Sequence, residues 1–275
     1  MSLDVGDPAF EQLVESGQRF KFGKNWRAFL RGLNEGRIVE AERSLKDMLG
    51  VADLAGTTFL DIGSGSGLFS LAARRLGARV HSFDFDPDSV ACTRALRENF
   101  FPDDPQWTVE RGSALDPAYL ASLGTFDVVY AWGVLHHTGE MWSAIDNATH
   151  RVRPGGSLFL MIYRDWGLKS RIWLRIKRTY CSGAVGRWAV LALFIPYYVV
   201  RGVIEDVVRL RNPWARYREY QRNRGMSKFH DWIDWLGGYP YEFATIEQVE
   251  AFCEQRGLVI TRQEGEEYVF RRPES

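Results

Sequence analysis

The sequence predicts a doubly wound α/β domain built on a mostly parallel, seven-stranded sheet, and three observations carry that prediction. Beyond residue 56, short apolar runs alternate with helix-forming stretches, the pattern of βαβ units. The first run leads into a loop with glycine at every second position, Gly63, Gly65 and Gly67. The second ends on an acidic residue, Asp84, about 20 residues further on.

From Ala9 to Gly50 apolar residues recur at helical spacing (Ile38, Ala41, Leu45, Met48), so residues 1–50 are read as an N-terminal helical cap. Strands are expected at Thr57–Leu60, Arg79–Phe83, Trp107–Glu110, Phe126–Ala131 and Ser157–Ile162. A helix at Thr245–Arg256 closed by Gly257, then strands at Leu258–Arg262 and Glu267–Arg271, complete the sheet. Residues 51–275 thus form one domain, interrupted after the fifth strand by a helical, aromatic insertion over 164–242.

The insertion breaks the rhythm in charge as well. Between Arg164 and Arg224, fourteen basic residues face four acidic ones, whereas the 35 basic and 35 acidic residues of the whole chain cancel. Arg171–Arg178 reads as an amphipathic helix and Trp188–Val203 as a strongly apolar one, with Pro196 a potential break. The longest apolar run, Trp188–Val200, falls short of the roughly 20 residues of a spanning helix, and no basic-then-apolar leader opens the chain. A cytoplasmic location is therefore expected. Three roles suit the insertion: a cap over a substrate, a dimer face on a chain that is otherwise a monomer, or peripheral contact with anionic lipid through 164–212.

A chain that is 45% apolar and 25% charged supports a sizeable core. Its zero net charge gives no strong phosphate attraction, so nucleic acid is not an expected partner, although the basic, aromatic insertion keeps RNA open as an alternative. Cys92, Cys181 and Cys253 form no CxxC pair and read as structural thiols in a reducing compartment.

The segment Phe59–Phe69 ends a buried strand on Asp61, turns through the glycines and enters a helix. The helix N-terminus offers N–H donors and partial positive charge to a ligand carboxylate, and Asp61 can pair with a ligand ammonium. A zwitterionic amino acid presents both groups. A dinucleotide would need the GxGxxG spacing, whose third glycine is here Leu68, so a nicotinamide oxidoreductase is the weakest reading. Asp84 can accept both hydroxyls of a ribose, and Phe85 can stack on the attached base.

On these residues the sequence resembles the class I S-adenosylmethionine (SAM)-dependent methyltransferases, in particular the ubiquinone- and menaquinone-biosynthesis type, over roughly residues 57–162. Phe126-Asp127-Val128-Val129 leading to Leu135-His136-His137, and Arg153-Pro154-Gly155-Gly156, match further stretches of that family, and the last two strands fit it as well. The resemblance implies a Rossmann-like fold and SAM as cofactor, with S-adenosylhomocysteine as its product. It places Asp61, Gly63 and Gly65 around the methionine part, Asp84 on the ribose, and Ser113 and Ala114 in the segment beside the adenine; Ser64, Gly67, Phe85 and Trp132 complete the expected cofactor-binding set. Ser113 stands where an acidic residue is common, which weakens the adenine contact.

Methyl transfer from a sulfonium needs alignment above all, and positioning can contribute about 7–11 kcal/mol. A hydroxyl acceptor also benefits from a general base, for which His136, His137 and His230 are the candidates. His230 falls in 225–242, a segment dense in aromatic, acidic and turn residues, read as a loop able to close over an acceptor with Asp231, Tyr239 or Glu242 supplying hydrogen bonds. These carboxylates lack the spacing of a metal site, so no metal is expected. Phe20–Trp26 reads either as a lid or as core. The leading expectation is methylation of a small-molecule substrate on oxygen; a tRNA-modifying methyltransferase and a SAM-binding protein without catalysis are the alternatives.

Overall fold

The computed structural model describes residues 8–21, 23, 26, 30, 32–209 and 228–274. They fall into two compact units, Asn34–Trp166 with Glu242–Ser275, and Met1–Leu33 with Gly167–Tyr241.

The first unit holds one seven-stranded sheet: β1 (Thr58–Ile62), β2 (Arg79–Asp84), β3 (Trp107–Arg111), β4 (Phe126–Trp132), β5 (Val152–Met161), β6 (Val259–Glu264) and β7 (Glu267–Arg271), in the order β3-β2-β1-β4-β5-β7-β6. The first five strands pair in parallel, and β7 enters antiparallel between β5 and β6. Strand order reverses direction between β1 and β4. Right-handed crossovers on either side of that point put helices on opposite faces, so the central strands are apolar on both. Leu60, Val129, Ala131, Leu158 and Leu160 accordingly have no exposed surface.

Local chemistry sets the helix boundaries. In α2 (Glu35–Leu49; α1 is Pro8–Glu15) the Asn34 side chain accepts the Arg37 N–H, and Gly50 closes the helix in the left-handed conformation. Ile38, Ala41, Leu45 and Met48 form its buried stripe. The helices α3 (Leu68–Arg75), α4 (Pro87–Phe100), α5 (Pro117–Ser122) and α6 (Met141–Thr149) follow β1 to β4 in turn. Asp86 and Asp116 cap α4 and α5, each with proline in the first turn.

In the second unit, α1, α7 (Leu168–Cys181), α8 (Ala184–Val208) and α9 (Lys228–Gly237) are helical. Tyr180 of α7, Val190 of α8 and Leu236 of α9 are buried together, with Trp173, Phe194, Tyr198 and Ile233 around them. Lys177 is buried too, its Nζ donating to the Trp235 carbonyl and sitting 4.3 Å above the Trp235 ring. Phe20 packs edge-on against Tyr180 and its N–H donates to the Tyr239 carbonyl, so this aromatic is core; Phe22, Lys24 and Asn25 lie outside the described residues.

Two expectations are corrected here. The segment 225–242 is not a loop throughout, because its residues 228–237 are α9: Ile233 and Leu236 recur at helical spacing and pack on α7, and the turn-forming Gly238 and Pro240 lie beyond its end. Nor does Pro196 break the apolar helix. The 25 residues of α8 run through it, and the sequence-based length fell short because it counted the uncharged run rather than the helix. A final helix, α10 (Ile246–Glu254), opens on a capping box between Thr245 and Gln248 and leads back into β6 of the first unit.

Candidate cofactor site

Ligands of doubly wound sheets bind beyond the strands' C-terminal ends where strand order reverses, here at β1 and β4. Beyond β1, Gly63, Gly65 and Gly67 all have positive φ, at 76°, 56° and 81°. Gly63 also has a neighbour that allows no side chain, since a Cβ there would come 2.2 Å from Val134 Cγ2 in the turn after β4. The loop is fastened to β2, with the Gly63 and Ser64 N–H groups donating to the Phe83 carbonyl at 2.8 and 3.0 Å. Ser64 Oγ lies 3.0 Å from Thr93 Oγ1 on α4.

Asp84 closes this arrangement. Its carboxylate accepts the Gly65 N–H at 2.9 Å and the Asp86 N–H at 2.8 Å, one on each oxygen. A carboxylate offers about four acceptor sites, more than these two N–H groups occupy, and an acidic side chain at the end of the second strand is the group that accepts ribose hydroxyls in folds of this kind. The loop then delivers the chain to α3, whose N-cap Gly67 makes no side-chain cap; the Leu68 N–H donates to Ser66 Oγ at 3.4 Å, and the turn presents the positive end of the helix to an anion.

Asp61 is buried at the end of β1, and its carboxylate accepts the Ser70 hydroxyl from α3. Trp107 Nε1 donates to Ser82 Oγ at 2.9 Å, and Ser82 and Ser70 are joined at 2.7 Å, so a chain of hydrogen bonds runs from β3 to Asp61. Burial pushes the Asp61 carboxyl up to about 7, the Ser70 hydrogen bond pulls it down, and nearby Asp84 adds a smaller upward push.

At the end of β3, the Gly112 N–H donates to the Asp84 carbonyl, which brings Ser113 and Ala114 to the same edge. Ser113 Oγ accepts the Leu115 N–H, and the Ala114 carbonyl accepts from Asn147 Nδ2. Phe85 is partly exposed, with the Arg111 guanidinium 5.4 Å from its ring and Arg111 Nε donating to its carbonyl. Trp132, more than a third exposed at the end of β4, donates its indole N–H to Glu267.

The three histidine candidates separate. His136 and His137 form a 3-10 turn after β4; His136 has no exposed surface and packs against Tyr163 with ring centroids 3.9 Å apart and planes tilted by 37°, whereas His137 keeps a small exposed fraction. His230 belongs to α9 in the other unit, and its side chain, like that of Asp231, lies outside the described residues. Glu242 makes hydrogen bonds, but to the backbone: its carboxylate accepts the Gly139 N–H at 2.9 Å and the Met141 N–H at 3.1 Å, at the N-terminus of α6.

Residues 60–158, which span this edge from β1 to β5, match the methyltransferase domain family. That segment is a methyltransferase domain. The ubiquinone biosynthesis O-methyltransferase of Methylobacterium sp. is 38% identical to this chain over 117 residues, 42% of this chain and 44% of that protein. That of Xanthomonas euvesicatoria is 34% identical over 110 residues. The chain thus spans less than half the length of these curated relatives. Among solved structures, the magnesium protoporphyrin IX methyltransferase of Synechocystis with bound S-adenosylhomocysteine is similar in fold, with a TM-score of 0.56 at 13% identity over 96% of this chain and 100% of that one. An O-methyltransferase family protein from Burkholderia thailandensis gives 0.54 at 14% identity, over 86% of this chain and 57% of that one.

The methyltransferase domain gathers the glycine loop, Asp61, Asp84, Phe85, Ser113 and Ala114 at one edge of the sheet. Arg111 and Thr93 join them without having been singled out in the sequence. Arg111 stands at the end of β3 as Asp84 does at the end of β2, a positional signal that could have found it; Thr93 lies inside a helix and carries no such signal.

Proposed function

We propose that this chain transfers the methyl group of SAM to an oxygen atom of a small-molecule acceptor. The carrying observation is the Asp84 carboxylate, pinned by the Gly65 N–H beside the N-terminus of α3. That donor and acceptor set suits the cofactor: α3 offers N–H groups to a carboxylate, Asp84 accepts from ribose hydroxyls, and Phe85 presents an aromatic face. When bound, SAM supplies a methyl group already activated on a sulfonium. The protein's part is then to hold the acceptor in line and take up its proton. His137 is the better-placed base on the β4 side, since His136 is enclosed. The oxygen acceptor is supported by the matched relatives, both named O-methyltransferases of ubiquinone biosynthesis.

Calorimetry with SAM and S-adenosylhomocysteine tests the cofactor half, and a screen of phenolic acceptors the other. Wild type should bind both ligands and not NAD, and Asp84→Ala should weaken them by about 10- to 100-fold, the worth of one or two charge-assisted hydrogen bonds. A folded wild type that prefers NAD would refute the reading.

A further inference from the structure

We propose that α8 lies flat in the surface of an anionic lipid bilayer, with its uncharged face among the acyl chains and the neighbouring arginines on the lipid phosphates. This inference is independent of the methyl acceptor.

The helix is long and apolar enough to cross a membrane by length and composition, yet only Val190, Gly202 and Asp206 of it are buried. At 100° per residue, Val185, Leu193, Val200, Val203, Ile204 and Val207 fall on one side, and all six are exposed, Val185 at 86% and Leu193 at 67%. The four charged residues of the helix, Arg187, Arg201, Glu205 and Asp206, all lie about 100° or more from the centre of that face. Trp188 and Tyr197, both exposed, flank it, where amphipathic rings sit at a membrane interface. The other side is occupied: Val190, Leu191, Phe194 and Tyr198 pack in the core of their own unit. A charge-free exposed face of this length is rare on a soluble monomer.

Charge selects the occupant. Residues 167–209 carry eight basic and two acidic residues, and Arg171, Arg175 and Arg178 make an exposed stripe along α7. A second copy docked through the same face would bring two such cationic units together, which they resist, whereas anionic headgroups attract them. The same arginines argue against crossing, because α7 packs beside α8 and its charges would enter hydrocarbon.

The test is flotation of the full chain with vesicles of phosphatidylcholine alone or with about one-third phosphatidylglycerol, alongside light scattering of the free protein; anionic vesicles should bind about a hundredfold more tightly. Arg171→Ala/Arg175→Ala/Arg178→Ala should abolish most of that preference. Leu193→Asp/Val200→Asp should lower binding to anionic vesicles at least about tenfold while far-UV circular dichroism stays unchanged. An alkaline carbonate wash should release the wild type. Equal binding to both vesicles, no binding to either, resistance to the wash, or a wild-type dimer that Leu193→Asp/Val200→Asp splits would each overturn the proposal. The wild-type comparison decides it even if a variant fails to fold.

Discussion

Asp61 is the residue on which the cofactor edge turns electrostatically. Its carboxyl is held near 7 in the fold against an ordinary value near 3.8, so the folded state binds a proton that the unfolded chain has released. The stability due to this proton is complete below about pH 4 and is lost as pH rises to about 7. Asp61→Asn should therefore gain on wild type across that window, by up to about 4 kcal/mol, in denaturant unfolding of the cofactor-free protein at several pH values. A constant difference between the two from pH 4 to 8 would contradict this account. Gly63 makes a simpler case. Its φ of 76° and the 2.2 Å approach of Val134 to any Cβ penalise Gly63→Ala twice, and about 2–4 kcal/mol of destabilisation is expected. Val134→Ala in the same chain should restore part of the loss, since only the steric share is removed.

At the scale of elements, the glycine loop and Asp84 were evident from sequence because local backbone geometry demands those residue types there. Glu242 is legible in the sequence as a hydrogen-bonding carboxylate, but not its partners in the fold. Its carboxylate serves α6, supplying the cap that the helix lacks at Glu140. Burial raises its carboxyl above the usual range, while the two backbone N–H groups pull the other way. Removing it leaves those donors unmet, so Glu242→Ala should cost about 1–2 kcal/mol in thermal or denaturant unfolding, with Glu242→Gln recovering part of that. No spacing rule could have paired residues 101 apart in the chain. α9 was missed for a related reason. Its glycines and proline announce a turn, but they lie at and beyond its end, and its helical stripe has meaning only against α7.

Over the whole molecule, zero net charge conceals an uneven distribution: the fourteen-to-four excess of basic residues in 164–224 is balanced elsewhere in the chain. This is why whole-chain charge gave no reason to expect an anionic partner. The cysteines behave as their spacing suggested. All three are free, Cys92 and Cys253 buried, and burial raises the Cys253 thiol to about 12. The thermal midpoint should thus be the same with and without reductant in scanning calorimetry; a drop on reduction would show a bridge that the fold does not hold.

The sequence alone determined the succession of the seven strands along the chain, the left-handed glycine turn and the acidic end of β2, because each follows from backbone geometry within a few residues. It also determined the resemblance that brought SAM into view. The tertiary structure decided what depends on distant partners: the antiparallel entry of β7 between β5 and β6, the hydrogen-bond chain from Trp107 to Asp61, Arg111 over Phe85, and the enclosure of His136. It decided the exposed face of α8 as well. An apolar run in a sequence has the same composition whether it is buried or bare, and only the positions of its neighbours separate the two.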